Sequence, residues 1–161
     1  MIRSATTADA ATIARIYNHY VTNTIVTFEE EAVSGREIAN RIAEVQTAGR
    51  PWIAWEENCR VLGYAYANSW KSRCAYRFAL ETTIYLDKDA TGRGGGTQLY
   101  TALIVMLREA RIHSLIGGIA LPNAASVALH EKLGFQKIGQ FKEVGRKFDQ
   151  WIDVGYWELM L

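Results

Sequence analysis

Between Gly92 and Gly96 four of five positions are glycine, Arg93 being the exception, and the run lies in DATGRGGGTQLYTALI (89–104) directly against a segment of helical periodicity. Glycine costs a helix about 0.5–1 kcal/mol relative to alanine, so crowding it at a helix start needs a physical reason. Just before the run comes FALETTIYL, rich in the β-branched and aromatic residues that favour a strand. A strand, a glycine loop and a helix start are thereby tied together. At such a junction the first N–H groups of the helix lack partners, and the positive end of the helix dipole favours an anion.

Three uses of the glycines compete. A P-loop needs lysine after its last glycine, where Thr97 stands instead. A dinucleotide fingerprint counted from Gly92 meets Thr97 in place of its third glycine, and RIHS occupies the region where an acidic residue is expected. In the third reading, Gly94 and Gly96 let successive N–H groups point at one phosphate, the missing Cβ atoms permitting close approach. A loop that merely caps a helix is the simpler alternative.

The other elements follow from periodicity and caps. MIRSA reads as a first strand. A helix with Ile13, Ile16, Tyr17 and Tyr20 on one face follows, with Asp9 as its expected N-cap. Ser34 and Glu37 form a capping-box pattern for a second helix that should stop at Gly49. PWIAW and RVLGYAYANSW flank an expected turn at Glu57–Asn58. The helix after the glycines carries Leu99, Ala102, Leu103, Met106 and Ala110 on one stripe. SLIGGIAL is a buried strand ending at Pro122. NAASVALHEKLGF is a short helix with Asn123 as N-cap, Gly134 beyond its end and Phe135 expected to pack on Leu129. Two closing strands span about 136–144 and 151–160. The order β-α-α-β-β-β-α-β-α-β-β predicts an α/β (α+β) fold, a mixed sheet with helices on both faces.

Length and charge limit the partners. At 161 residues without a linker or repeat, one domain over 1–161 is expected. A net charge of +1 gives no general attraction to nucleic acid or anionic lipid. Cys59 and Cys74 are too few for a disulfide framework and lack metal-ligand spacing, so no metal is expected. The N-terminal residues lack the apolar core of a signal peptide, and no stretch approaches a membrane span. A cytoplasmic protein is the default expectation.

Taken together, the glycine run and LPNAASVALHEKLGF resemble the GNAT superfamily of N-acetyltransferases over nearly the whole chain. In that superfamily Q/R-x-x-G-x-G/A holds the pyrophosphate of acetyl-CoA, and an N-x-x-S helix borders the coenzyme. SWKSRCAYRFALETTIYL and VGRKFDQWIDVGYWELML narrow the resemblance to the phosphinothricin and methionine sulfone/sulfoximine N-acetyltransferases. Thr91 and Gly95 depart from the motif, at positions usually held by Gln or Arg and by an aliphatic residue. Neither departure removes an N–H donor, and CoA binding is expected to be intact, if weaker.

What the resemblance implies is acetyl transfer from acetyl-CoA to a small amine. Ile84, Tyr85 and Leu86 would run beside the pantetheine arm. Gly92, Arg93, Gly94, Gly95, Gly96 and Thr97 would hold the pyrophosphate, Asn123 would bond the arm, and Lys132 would reach toward the phosphates. Phe28, Arg73, Cys74, Ala75, Tyr76 and Arg77 would contact the substrate, with the basic segment gripping a carboxylate. Glu81 is the expected general base. It is a charged residue inside an otherwise neutral strand, which is costly without a partner or a task, although an edge position or an ion pair with Arg77 would also account for it. His130 is a second catalytic candidate, as a proton donor to the departing thiolate, or else it packs or orients substrate. The resemblance also implies a homodimer. A peptide or protein acetyltransferase and a non-catalytic acyl-CoA sensor remain alternatives.

Overall fold

A computed structural model describes residues 1–161. Its strands are β1 (Ile2–Ser4), β2 (Trp52–Glu57), β3 (Arg60–Ser69), β4 (Ala79–Leu86), β5 (Ser114–Leu121), β6 (Gln136–Lys147) and β7 (Gln150–Met160). Its helices are α1 (Ala10–Asn23), α2 (Gly35–Thr47), α3 (Gly95–Glu109) and α4 (Ala124–Lys132). All seven strands join one sheet in the order β1-β2-β3-β4-β5-β7-β6, and every pairing is antiparallel except β4 with β5. The element order and the mixed sheet agree with the expectation from sequence.

Period-2 alternation divides the strand side chains between two cores. Trp52 and Ala54 face α1 and α2 with Ile13, Ile16, Ile38 and Ile42, while Ile53 and Trp55 face α3 with Leu99, Leu103 and Leu107. Both faces of β2 are thus covered, which is why Trp52–Trp55 reads as a continuous apolar run. Each fully buried leucine of α3 contributes about 1.5–3 kcal/mol by leaving water. The buried stripe of α3 is rotated from the expected one: Tyr100, Ile104 and Leu107 are inside, and Met106 is exposed. Tertiary contact chose between two faces that are both apolar.

Several local expectations shift by a residue or a partner. The β2–β3 turn has positive φ at Asn58 and Cys59, one residue beyond the expected position, as a two-residue hairpin turn requires. Asp9 stands at the N-cap of α1 as expected, but its side chain makes no capping bond there. Its carboxylate accepts from Thr6 N at 2.8 Å and pairs with Arg3 at 2.8 Å. Ser34 Oγ accepts from Glu37 N at 3.1 Å, but Glu37 turns to Arg41 rather than closing the box. Asn123 caps α4 as expected, accepting from Ser126 N at 3.1 Å. Phe135 packs on the rings of Tyr100 and His130. No helix is long and apolar enough to cross a membrane.

Candidate active site

The site exists because β4 and β5 part company. They pair only from Ala79↔Ser114 to Glu81↔Ile116, although β4 continues five residues further along β3. Beyond Glu81 that edge of β4 is open, and backbone groups at an open edge can receive an extended ligand as an added strand. Glycine keeps the opposite wall clear. A Cβ at Gly117 would strike the His130 ring, and one at Gly118 would lie 3.4 Å from Glu81 Oε1.

Two cavities of about 400 Å³ each fill the opening. Val26, Ile84, Tyr85, Asn123 and Ser126 line both, so the two form one cleft. At its far end stand Leu86, Thr91, Gly92, Gly94, Gly96, Thr97 and Lys132. Gly92 and Gly94 have φ of +75° and +79°, a conformation that only glycine adopts readily. Gln98 N–H makes the first bond into α3, onto Gly94 O at 3.1 Å, which leaves the N–H groups of Gly95, Gly96 and Thr97 without backbone partners. Lys132 Nζ lies 3.4 Å from Thr97 Oγ1 and brings a cation to these donors. The arrangement suits a diphosphate.

Arg93 and Gly95 do not line the cleft. Arg93 is exposed. Gly95 faces inward, where any Cβ would overlap the six-membered ring of Trp55. The ring of Trp55 fills the space that a side chain at this position would need. Gly95→Leu is expected to destabilise the fold by about 2 kcal/mol, lowering the melting temperature by roughly 4–8 °C. Calorimetric melting checks this, and an unchanged transition would remove the packing explanation.

At the near end of the cleft lies Glu81, with Phe28, Thr82, Thr83, Gly118, His130, Val144 and Tyr156 around it. Burial raises the Glu81 pKa above the usual carboxylate value, and Lys71 acts in the opposite sense. Arg77 does not pair with Glu81; its guanidinium lies over the Phe78 ring and bonds Cys74 O at 3.2 Å. A half-buried carboxylate with no salt bridge, facing a cavity, is chemically equipped to take a proton.

His130 is 4 % exposed. Its Nδ1–H donates to Ser126 O at 2.8 Å, and its Nε2 accepts from the Tyr100 hydroxyl at 3.0 Å. Burial holds the ring's pKa below the ordinary histidine value, with the Ser126 carbonyl acting against that. Tyr100 is bonded in turn to Thr82 of β4. With both nitrogens occupied inside a fixed chain, the neutral ring is poorly placed to protonate a thiolate. The geometry favours the other sequence reading, in which His130 packs and orients.

The expected substrate segment is not brought to the cavity. Arg73, Cys74, Ala75, Tyr76 and Arg77 are exposed, Cys74–Tyr76 forming a single 3-10 turn outside the lining. The chain leaves the rim at Trp70, whose ring meets Tyr156 edge-on at 5.6 Å and carries Lys71 Nζ 4.9 Å from its centroid. Phe28 does line the cavity. Sequence reasoning missed Val26, Thr27, Gly118 and Tyr156; of these, only strand pairing, Gly118↔Tyr156, could have linked the last two.

Comparison with known proteins supplies the family. Residues 2–155 match the acetyltransferase (GNAT) domain. The chain is 37% identical to a phosphinothricin N-acetyltransferase of Streptomyces viridochromogenes, covering 98% of this chain and 85% of that one. It is 39% identical to the L-amino acid N-acyltransferase MnaT of Escherichia coli (99% and 93% covered). To a methionine sulfoximine/methionine sulfone acetyltransferase of Salmonella typhimurium it is 37% identical (99% and 94%). Among solved structures, a ribosomal-protein-alanine N-acetyltransferase from Brucella melitensis superposes with a TM-score of 0.98 at 35% identity, covering 100% and 99% of the two chains. The acetyltransferase yncA from Salmonella typhimurium, solved with its cofactor acetyl-CoA, gives 0.97 at 35% identity over 100% and 93%. A cleft that ends in a glycine-rich helix start, on a chain this similar along its length, belongs to the GNAT acetyltransferases, and the protein is an acetyl-CoA-dependent N-acetyltransferase.

Proposed function

We propose that the protein transfers the acetyl group of acetyl-CoA to the amino group of a small amino acid of the phosphinothricin, methionine sulfoximine or methionine sulfone type, through a single catalytic domain spanning residues 1–161. The observation that carries this is the continuity of the cleft from the N–H donors at Gly96 and Thr97 to the unpaired carboxylate of Glu81. The activities for which the relatives are named supply the substrate class.

In this reading the diphosphate of acetyl-CoA sits on the start of α3, and its pantetheine arm runs along the open edge of β4 at Ile84, Tyr85 and Leu86 past Asn123. The thioester then lies near the point where the cavities meet. An amine of pKa about 8–10 is mostly protonated at pH 7, which costs roughly 1.4–4 kcal/mol before it can attack. Glu81 accepts that proton, directly or through water. The free amine nitrogen attacks the thioester carbonyl carbon, the C–S bond breaks as the tetrahedral intermediate collapses, and the departing thiolate takes up the second proton shed by the new amide nitrogen, leaving as CoA–SH. Lys71 at the rim is the cation placed to answer the substrate carboxylate while lying close enough to Glu81 to influence its charge.

A homodimer belongs to the same proposal. Ile138, Phe141, Val144, Phe148 and Trp151 are all more than half exposed on β6, β7 and their turn, apolar side chains that a second copy of the chain would cover. Light scattering on the purified protein tests it.

Isothermal titration with acetyl-CoA, followed by an acceptor screen read through thiol release, tests the function. Saturable binding and turnover of at least one of the three amino acids is expected. Absence of binding ends the proposal outright. Binding without turnover of any amino acid would favour a non-catalytic acyl-CoA sensor, and acetylation of an N-terminal alanine peptide alone would favour a ribosomal-protein-type acceptor.

A further inference from the structure

Lys147 is 2 % exposed, an unusual setting for an ammonium group, whose removal from water is costly unless compensated. Its Nζ donates to the carbonyl oxygen of Thr27 at 2.7 Å, 120 positions away in the chain, and lies 5.2 Å from the centroid of the Phe148 ring. Glu30 and Glu29 act on its charge without forming an ion pair with it, Glu29 being held by Arg41 at 2.7 Å. The hydrogen bond of Lys147 therefore goes to a backbone carbonyl of the 24–34 segment.

That segment forms a wall of the acceptor cavity. Val26, Thr27 and Phe28 line it together with Val144 of β6. The helical side of the segment is already anchored. Tyr17 OH shares a hydrogen bond with Thr27 Oγ1 at 2.7 Å and donates to Glu29 at 3.0 Å. Asn18 clamps both the N–H and the carbonyl of Val33 at 2.8 Å. Toward β6, the segment is held by the Lys147 bond. Two residues before Lys147, Gly145 leaves room for the Phe28 ring, which any Cβ there would overlap. One short stretch of β6 thus supplies the seat for Phe28 and the tether that keeps it seated.

We propose that Lys147 is a positioning residue for the acceptor: by binding the Thr27 carbonyl it holds Phe28 against Gly145 and fixes the shape of the pocket that receives the amine. This rests on the reading of the Glu81 cavity as the acceptor site. Of the tethered segment only Val26 reaches the coenzyme end of the cleft, so the effect of breaking the contact falls mainly on the acceptor.

The test is Lys147→Met, which keeps the stem and removes the donor, beside Gly145→Ala, which disturbs the same contact from the other side. Both are compared with wild type for acetyl-CoA affinity by calorimetry and for kcat and KM with the best amino-acid acceptor. For Lys147→Met the acceptor KM is expected to rise about tenfold, with acetyl-CoA affinity within about twofold and kcat within about threefold of wild type. Gly145→Ala is expected to show the same split, and the double variant less than the product of the two because they act on one contact. An unmoved acceptor KM in folded Lys147→Met overturns the inference, as does an equal loss in acetyl-CoA affinity, which would mark a merely structural lysine. If Lys147→Met does not fold, Gly145→Ala decides by the same measurements. A wild type that binds acetyl-CoA yet acetylates no amino acid would instead refute the acceptor reading, and this inference with it.

Discussion

Glu81→Gln is expected to lower kcat with an amino-acid acceptor at least tenfold at neutral pH while acetyl-CoA affinity stays within about twofold, because the amide keeps the shape of the side chain but cannot take a proton. The wild-type rate should rise with pH through a pKa above the ordinary value of 4.5, since burial favours the neutral acid, and the variant should lack that limb. The same burial predicts an opposite effect on stability. A carboxyl whose folded pKa exceeds its unfolded value loses stability as pH rises from the unfolded pKa to the folded one, and the deficit persists at higher pH. Glu81→Gln should therefore melt above wild type at pH 7, and the difference should disappear below about pH 4. A variant that is slower and more heat-resistant is the expected outcome. Undiminished turnover would remove Glu81 from the mechanism.

Gly94→Val carries the second large effect. Gly94 has φ of +79° at the N-cap of α3, and no heavy atom lies within 4 Å of where its Cβ would stand. The free protein has room for the side chain, so the penalty arises in the backbone. A left-handed conformation costs an ordinary residue about 1–2 kcal/mol, and a β-branched one more. The loop relieves this by turning its peptide groups, which misdirects the N–H donors at Gly95–Thr97. Acetyl-CoA is expected to bind at least tenfold more weakly, about 1.4 kcal/mol, by calorimetric titration. At saturating acetyl-CoA, kcat should recover to within a few-fold. Paired with Gly95→Leu, which should damage the fold through Trp55, this separates two adjacent glycines by function. An unaltered dissociation constant for Gly94→Val would mean that the loop does not grip the diphosphate.

The parts of the site that were legible in the sequence are those governed by neighbours along the chain. The glycine loop at the start of α3, the Asn123 cap, and the order of strands and helices all follow from local rules. Glu81 was legible because a charge inside a neutral strand is costly wherever that strand lies. His130 shows where such reading stops. Its spacing to Ser126 was plain, but its bond to Tyr100, and through Tyr100 to Thr82, depends on how α3, α4 and β4 meet. Arg73–Arg77 was read as a carboxylate clamp through the family resemblance, and the 3-10 turn places it outside the cavity.

By itself, then, the sequence determined a glycine-started helix after a strand, the elements around it, and a carboxylate in the strand that leads there. Caps, periodicity and backbone dihedrals act over a few residues, so a linear text records them. Only the tertiary structure decided that β4 and β5 diverge after Glu81, that Trp55 fills the space over Gly95, and that a buried Lys147 reaches the Thr27 carbonyl. Each of these depends on groups far apart in the chain competing for the same volume or the same hydrogen bond, and that competition is settled only when the chain packs.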